Sequence, residues 1–270
     1  MSPDESPAVP TPADADRPED AALPSNPATD KPVKIVLIYQ SLLGIYGDQG
    51  NAKVLRKRLE WRGIPAEVVL VEPGEPVPSD GSVYLLGGGE DNAQTTAVRL
   101  LKADGGLFEG LAGGAVLFAV CAGYQICGKT FTIGENDAVR EGLGLLDVTT
   151  VRGPERAVGE ILTRWTKPDG TTSLISGFEN HGGWTTLGPE ATPLARVESG
   201  IGNAGDGTEG AVQGKVIGTY PHGPVLARNP ELADHVLSLA LDVELAPLPQ
   251  VQDEHDGLRR ERADFVRRHR

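Results

Sequence analysis

Four short runs in the first half of the chain are almost continuously apolar: Val33-Lys34-Ile35-Val36-Leu37-Ile38-Tyr39, Ala66 to Val71, Ser82-Val83-Tyr84-Leu85-Leu86 and Ala115 to Val120. Strands covered on both faces read this way, because few of their side chains meet water. Between the runs the apolar spacing lengthens to the helical period. Asn51 stands as a cap before a helix that runs to about Arg62, where Ala52, Leu55 and Leu59 share one face and Gly63 ends it. Further helical segments are expected around Asn92 to Lys102 and Leu107 to Leu111. Strand, helix and strand in this order predict a mostly parallel sheet flanked by helices.

Beyond Thr132 the pattern changes to shorter alternating runs. Candidate strands are Leu146 to Val151, Glu160 to Trp165, Thr172 to Ile175, Leu194 to Val197, Gly210 to Gln213 and Lys215 to Tyr220, with Asn203-Ala204-Gly205-Asp206-Gly207 as an exposed loop. Asn229-Pro230-Glu231 opens a last helix with cap, first-turn proline and acid in the preferred order, and Leu232, Val236 and Leu239 form its buried face.

The two ends read differently. Residues 1–32 hold eight prolines and seven acidic residues with no aromatic residue, a composition that cannot offset its ordering entropy, so disorder is expected there. From residue 247 the chain turns polar and Arg-rich; a frayed tail is expected, with an amphipathic helix carrying Leu258, Arg262, Phe265 and Val266 as the alternative. The folded domain is thus bounded at 33–246. A net charge of −13 over 270 residues argues against a nucleic-acid footprint. No stretch approaches the length of a membrane-spanning helix, and no signal-like segment opens the chain. Cys121 and Cys127, the only cysteines, are badly placed to bridge and lack metal-ligand spacing, which fits a reducing cytoplasm.

Chemistry concentrates where the run Ala115 to Val120 meets Cys121-Ala122-Gly123-Tyr124-Gln125. A buried strand followed at once by a cysteine, two small residues and a helix start predicts a nucleophile elbow, which lifts the Cys121 sulfur above the sheet and bares the Ala122 N–H. A second oxyanion donor is expected from Gly87-Gly88-Gly89 at the end of another strand, through Gly88 or Gly89. These glycines match no phosphate-binding motif. A thiol attacks an amide only as its thiolate and needs a base. Of five histidines, His255 and His269 fall in the tail and His235 in a helix where a solvated side chain is expected. His222 follows Lys215-Val216-Ile217-Gly218-Thr219-Tyr220-Pro221 and so belongs at the same sheet edge as the elbow, which makes it the candidate base.

Cys121-Ala122-Gly123-Tyr124-Gln125 on such an elbow resembles the class I (triad-type) glutamine amidotransferases. Thr219-Tyr220-x-His222-Gly223 and Gly177-Phe178-Glu179-Asn180-His181-Gly182-Gly183 are similar to motifs of their CobB/CobQ-like branch, the branch of cobyric acid synthase. The resemblance implies that Gln125, Asn180 and Gly182 hold the amino-acid end of L-glutamine, and that His181 supports their loop. Many relatives carry arginine where this chain has Trp184, and Arg156 is the alternative partner for the substrate carboxylate. Relatives outside this branch follow the histidine with an orienting acid, but here Gly223-Pro224-Val225 follows, so that carboxylate is expected from elsewhere, a partner protein included.

Together with Tyr46-Gly47-Asp48-x-Gly50-Asn51, these motifs resemble the glutaminase subunits of lipid II isoglutaminyl synthases over about Val33 to Leu245. That family implies glutamine hydrolysis without a cofactor in this chain and transfer of ammonia to a Mur-ligase-like, ATP-binding synthetase subunit. The partner would amidate the D-glutamate of lipid II, at the inner face of the membrane. Rival readings are a glutaminase serving another synthetase, a cysteine hydrolase of a related fold, and a non-catalytic interaction subunit.

Overall fold

The computed structural model describes residues 31–44, 47–134, 136–246 and 248–268. The segment expected to be disordered lies outside these residues except for its last two. β1 (Val33–Ile38) leads through α1 (Gln40–Leu43) and α2 (Gln49–Glu60) to β2 (Ala66–Val71), and β3 (Val83–Leu86) leads through α3 (Asp91–Asp104) and α4 (Gly106–Ala112) to β4 (Val116–Val120). α5 (Ala122–Cys127) starts directly from β4. The second half contributes β5 (Thr130–Ile133), β6 (Ala138–Glu141), β7 (Val148–Thr166), β8 (Thr172–Leu187), β9 (Ala195–Ser199), β10 (Thr208–Glu209), β11 (Ala211–Gln213) and β12 (Val216–Thr219). α6 (Val225–Arg228), α7 (Pro230–Leu241) and α8 (Pro249–Arg268) close the chain.

The first sheet has the order β11-β12-β4-β3-β1-β2 and is parallel except for β11. Its central strands are apolar because both faces are covered: every residue of β3, β4 and β12 is buried. Each large aliphatic side chain taken out of water there contributes roughly 1.5–3 kcal/mol. Parallel order puts the carboxyl ends of β1, β3, β4 and β12 on one edge, so the loops after them converge. α2 and α7 are tied by a buried cluster in which Arg58 meets Asp234 through two bonds of 2.6 Å and Arg62 meets it at 2.8 Å.

The second sheet has the order β10-β9-β7-β5-β6, with β8 paired to β7 in a long antiparallel hairpin. The expected strands at Leu146 to Val151, from Val148 on, and at Glu160 to Trp165 are therefore parts of one strand, and Thr172 to Ile175 is only the beginning of β8. Pairing is interrupted between Arg152 and Ala157. Pro154 lies in that interval, where a residue without an N–H costs no ladder bond. The sheets are stitched together where Phe178 N donates to His222 O at 3.2 Å and His222 N donates to Phe178 O at 2.9 Å. A Cβ on Gly177 would stand 2.4 Å from Pro221 Cβ, so glycine permits this approach.

Several expectations are corrected. The tail is not frayed: α8 buries Ala263 and Val266 against Leu162 and Leu174, and Arg259 binds Glu231 at 2.7 Å. Asn51 is not the cap of α2, which starts before it; its Oδ1 accepts Leu226 N at 3.0 Å. Asn229 precedes α7 without a side-chain cap bond and instead clasps Ser176. Asn203 is not exposed but fully buried, accepting Tyr124 Oη–H at 3.2 Å and donating to Gly210 O at 2.9 Å. His235 is half-buried against Trp165, with its pKa lowered by burial.

Candidate active site

Cys121 follows the last residue of β4 and precedes α5 with φ 53° and ψ −108°, a strained conformation for a residue with a side chain. Cys121 N donates to Thr219 O at 2.8 Å, which fixes the elbow to β12. The turn is tight because Gly123 lies against β3, where a Cβ would come within 2.8 Å of Leu86 Cβ. The other cysteine, Cys127, is fully enclosed, and burial pushes its thiol far above the ordinary range. Cys121 alone of the two lines a pocket.

Three residues beyond the end of β12, His222 is buried beside Cys121, close enough for the thiol to act on its ring, while Cys121 Sγ itself points to Asn180 O at 3.9 Å. His222 Nδ1 lies 3.4 Å from Asp48 Oδ1, which leaves Nε2 as the nitrogen for the thiol. Burial opposes charge on the ring, but the hydrogen bond to Asp48 and the neighbouring thiol and carboxylate outweigh it and raise its pKa to about 9. The carboxylate expected from elsewhere is thus met within this chain. Asp48 sits between α1 and α2, directly before α2, and two other residues of its motif face the His222 loop: Asn51 holds Leu226 N, and Gly50 packs on Pro224. An acid at the start of the first long helix after β1, inside an already notable motif, was the signal that sequence reasoning left unassigned.

Asp48 Oδ2 accepts Gly88 N at 2.8 Å. This corrects the assignment of Gly88 as an oxyanion donor, since its N–H is spent on the carboxylate. Gly89 lines the pocket beside Cys121 and Ala122. Ala122 opens α5, where an N–H has no carbonyl one turn back to bond.

The pocket measures about 350 Å³ and is also lined by Gln125, Arg156, Asn180 and Gly182, so the structure gathers all four expected substrate contacts. Arg156 Nε donates to Asn180 Oδ1 at 2.8 Å. Arg152 on the same irregular stretch of β7 lines the pocket as well and pairs with Asp137 at 2.6 Å. The arginines therefore come from β7, while Trp184 on β8 lies where a Cβ on Gly153 would fall 2.0 Å from its ring. His181 supports the loop as expected: Nδ1 donates to Gly183 O at 2.8 Å, and the ring stacks on Tyr220 at 3.6 Å. Among the pocket residues that sequence reasoning missed are Gln94 and Arg152. Among the described residues no group of three or more His, Cys, Asp or Glu side chains is arranged to hold a metal ion.

A buried thiol, an imidazole and a carboxylate in line over a polar pocket are equipped for acyl transfer from an amide. The family model of the CobB/CobQ-like glutamine amidotransferase domain matches residues 34–230. The chain belongs to that family. The CobB/CobQ-like amidotransferases are glutamine-hydrolysing enzymes, and this member is 35% identical over 203 residues to the lipid II isoglutaminyl synthase (glutamine-hydrolyzing) subunit GatD of Staphylococcus aureus (strain N315), covering 74% of this chain and 81% of that one. With the subunit of the same name from Streptococcus pneumoniae (strain ATCC BAA-255 / R6) it shares 30% over 213 residues, 77% of this chain and 80% of the other. Cobyric acid synthase of Sphingopyxis alaskensis (strain DSM 13593 / LMG 18877 / RB2256) is 34% identical over 180 residues, 64% of this chain but only 34% of that enzyme. A crystal structure of a glutamine amidotransferase superposes with a TM-score of 0.52 at 25% identity, covering 77% of this chain and 98% of that one. The fold is thus the class I amidotransferase α/β fold.

Proposed function

We propose that this chain is the glutaminase subunit of a lipid II isoglutaminyl synthase. The observation that carries the chemistry is the line Cys121, His222, Asp48 beside a pocket containing Gln125, Arg156 and Asn180. Arg156, with Gln125, Asn180 and Gly182, takes the amino-acid end of glutamine and leaves the side-chain amide over Cys121. The thiolate attacks the amide carbon, and the oxyanion is held by the N–H groups of Ala122 and Gly89. His222 gives its proton to the leaving ammonia, and Asp48 keeps the ring in the required tautomer. The same imidazole then activates water, which releases glutamate from the thioester.

Ammonia in open water would be protonated and lost, so it passes directly to an ATP-dependent, Mur-ligase-like partner that amidates the D-glutamate of lipid II. The named relatives support this reading over a cobyric-acid-type role, since the chain spans most of their length but about a third of the synthase's. Cys121→Ala is expected to abolish glutamine-dependent amidation by the complex of the two subunits while ammonia-dependent amidation persists. Loss of both would assign Cys121 to assembly instead.

A further inference from the structure

Gln125 reaches the pocket from α5, but what its amide can offer a ligand is decided outside α5. Gln94 on α3, itself buried, directs Nε2 to Ala122 O at 3.4 Å and to Gln125 Oε1 at 2.7 Å. A backbone carbonyl only accepts, so the Gln94 atom facing it is nitrogen, and the Gln125 atom facing that nitrogen is oxygen. Gln125 Nε2 in turn donates to Tyr220 Oη at 3.3 Å. Tyr220 Oη lies 2.6 Å from Thr185 Oγ1, which lies 2.7 Å from Thr150 Oγ1, so the chain of bonds continues in one sense. Gln94 thus holds the Gln125 carbonyl towards α3, and the second N–H of the amide remains to be offered to the pocket.

We infer that Gln94 is a positioning residue for substrate selection: by fixing the orientation of the Gln125 amide it makes that side chain present N–H rather than oxygen to the pocket, matched to the α-carboxylate of the amino acid. This rests on the glutaminase reading above. Arg156 lines the same pocket, so a second donor from a different element is at hand for that carboxylate. Without Gln94 the Gln125 amide turns freely and presents its oxygen to a carboxylate part of the time.

The test compares two alkylating reagents on the full-length chain: 6-diazo-5-oxo-norleucine, which carries the amino-acid head of glutamine, and iodoacetamide, which does not. The ratio of their labelling rates at Cys121 cancels changes in the thiol or the elbow. Gln94→Met keeps the volume and removes both hydrogen bonds, and the ratio is expected to fall about tenfold, the worth of one such bond. In a double-mutant cycle with Gln125→Ala, the Gln94→Met substitution is expected to change the ratio no further, because its effect passes through Gln125. A fall common to both reagents, or an equal further fall in the Gln125→Ala background, overturns the assignment in favour of a packing role. Failure of the diazo compound to label the unmutated chain, with iodoacetamide still reacting at Cys121, overturns the glutaminase reading beneath it and the assignment with it.

Discussion

At the scale of single residues, Asp48 serves two neighbours at once. One oxygen faces His222 Nδ1 and the other accepts Gly88 N, so a single carboxylate sets both the base and the glycine loop beside the thiol. Asp48→Asn separates the two duties. Its amide oxygen can still accept Gly88 N, but the new amide no longer balances an imidazolium. Glutamine hydrolysis is expected to fall at least about a hundredfold in kcat, with KM little changed, as steady-state kinetics would record. A proportional rise in KM instead would point to a displaced loop. Much of the site was readable from the chain, because Cys121 and His222 each follow an apolar strand and the topology of a parallel sheet brings such positions together. Asp48 was not readable as a partner: 174 residues separate it from His222, and nothing local in its loop states which side chain it will meet. Gly88 was misread for the same reason, since a glycine N–H at a strand end carries no label of the acceptor it will find.

At the scale of elements, α2 and α7 depend on Asp234, whose carboxylate answers two buried guanidinium groups. Removing one partner leaves uncompensated buried charge, so Asp234→Ala is expected to cost about 3–5 kcal/mol in denaturant unfolding. The first sheet was legible because continuous apolar runs have few other solutions. The β7–β8 hairpin was not, since Gly153 and Pro154 lie between the short runs expected as separate strands but are absorbed as an irregularity inside one long strand. α8 was underestimated because its sequence is mostly charged. Its helix is held by a narrow apolar contact and by Arg259, pairings that depend on the partner surface and leave little trace in local periodicity.

Across the whole molecule, two buried groups make stability depend on pH in the same direction. Burial pushes Glu209 from an ordinary 4.5 to about 7, and the neighbours of His222 take it from 6.5 to about 9. Both bind a proton more tightly folded than unfolded. Their contribution is therefore complete below the ordinary values and is lost as pH rises through about 7 and then about 9. Thermal unfolding followed from pH 6 to 10 is expected to show a melting temperature that declines by several degrees, with the alkaline part of the decline absent in His222→Gln. The reciprocal pair of bonds between Phe178 and His222 has its own consequence. The proton carrier is riveted to the strand that bears Asn180, so this wall of the chamber cannot swing outward without detuning the chemistry. Any give in this rim falls to the adjoining stretch of β7, where the ladder to the same strand is interrupted between Arg152 and Ala157.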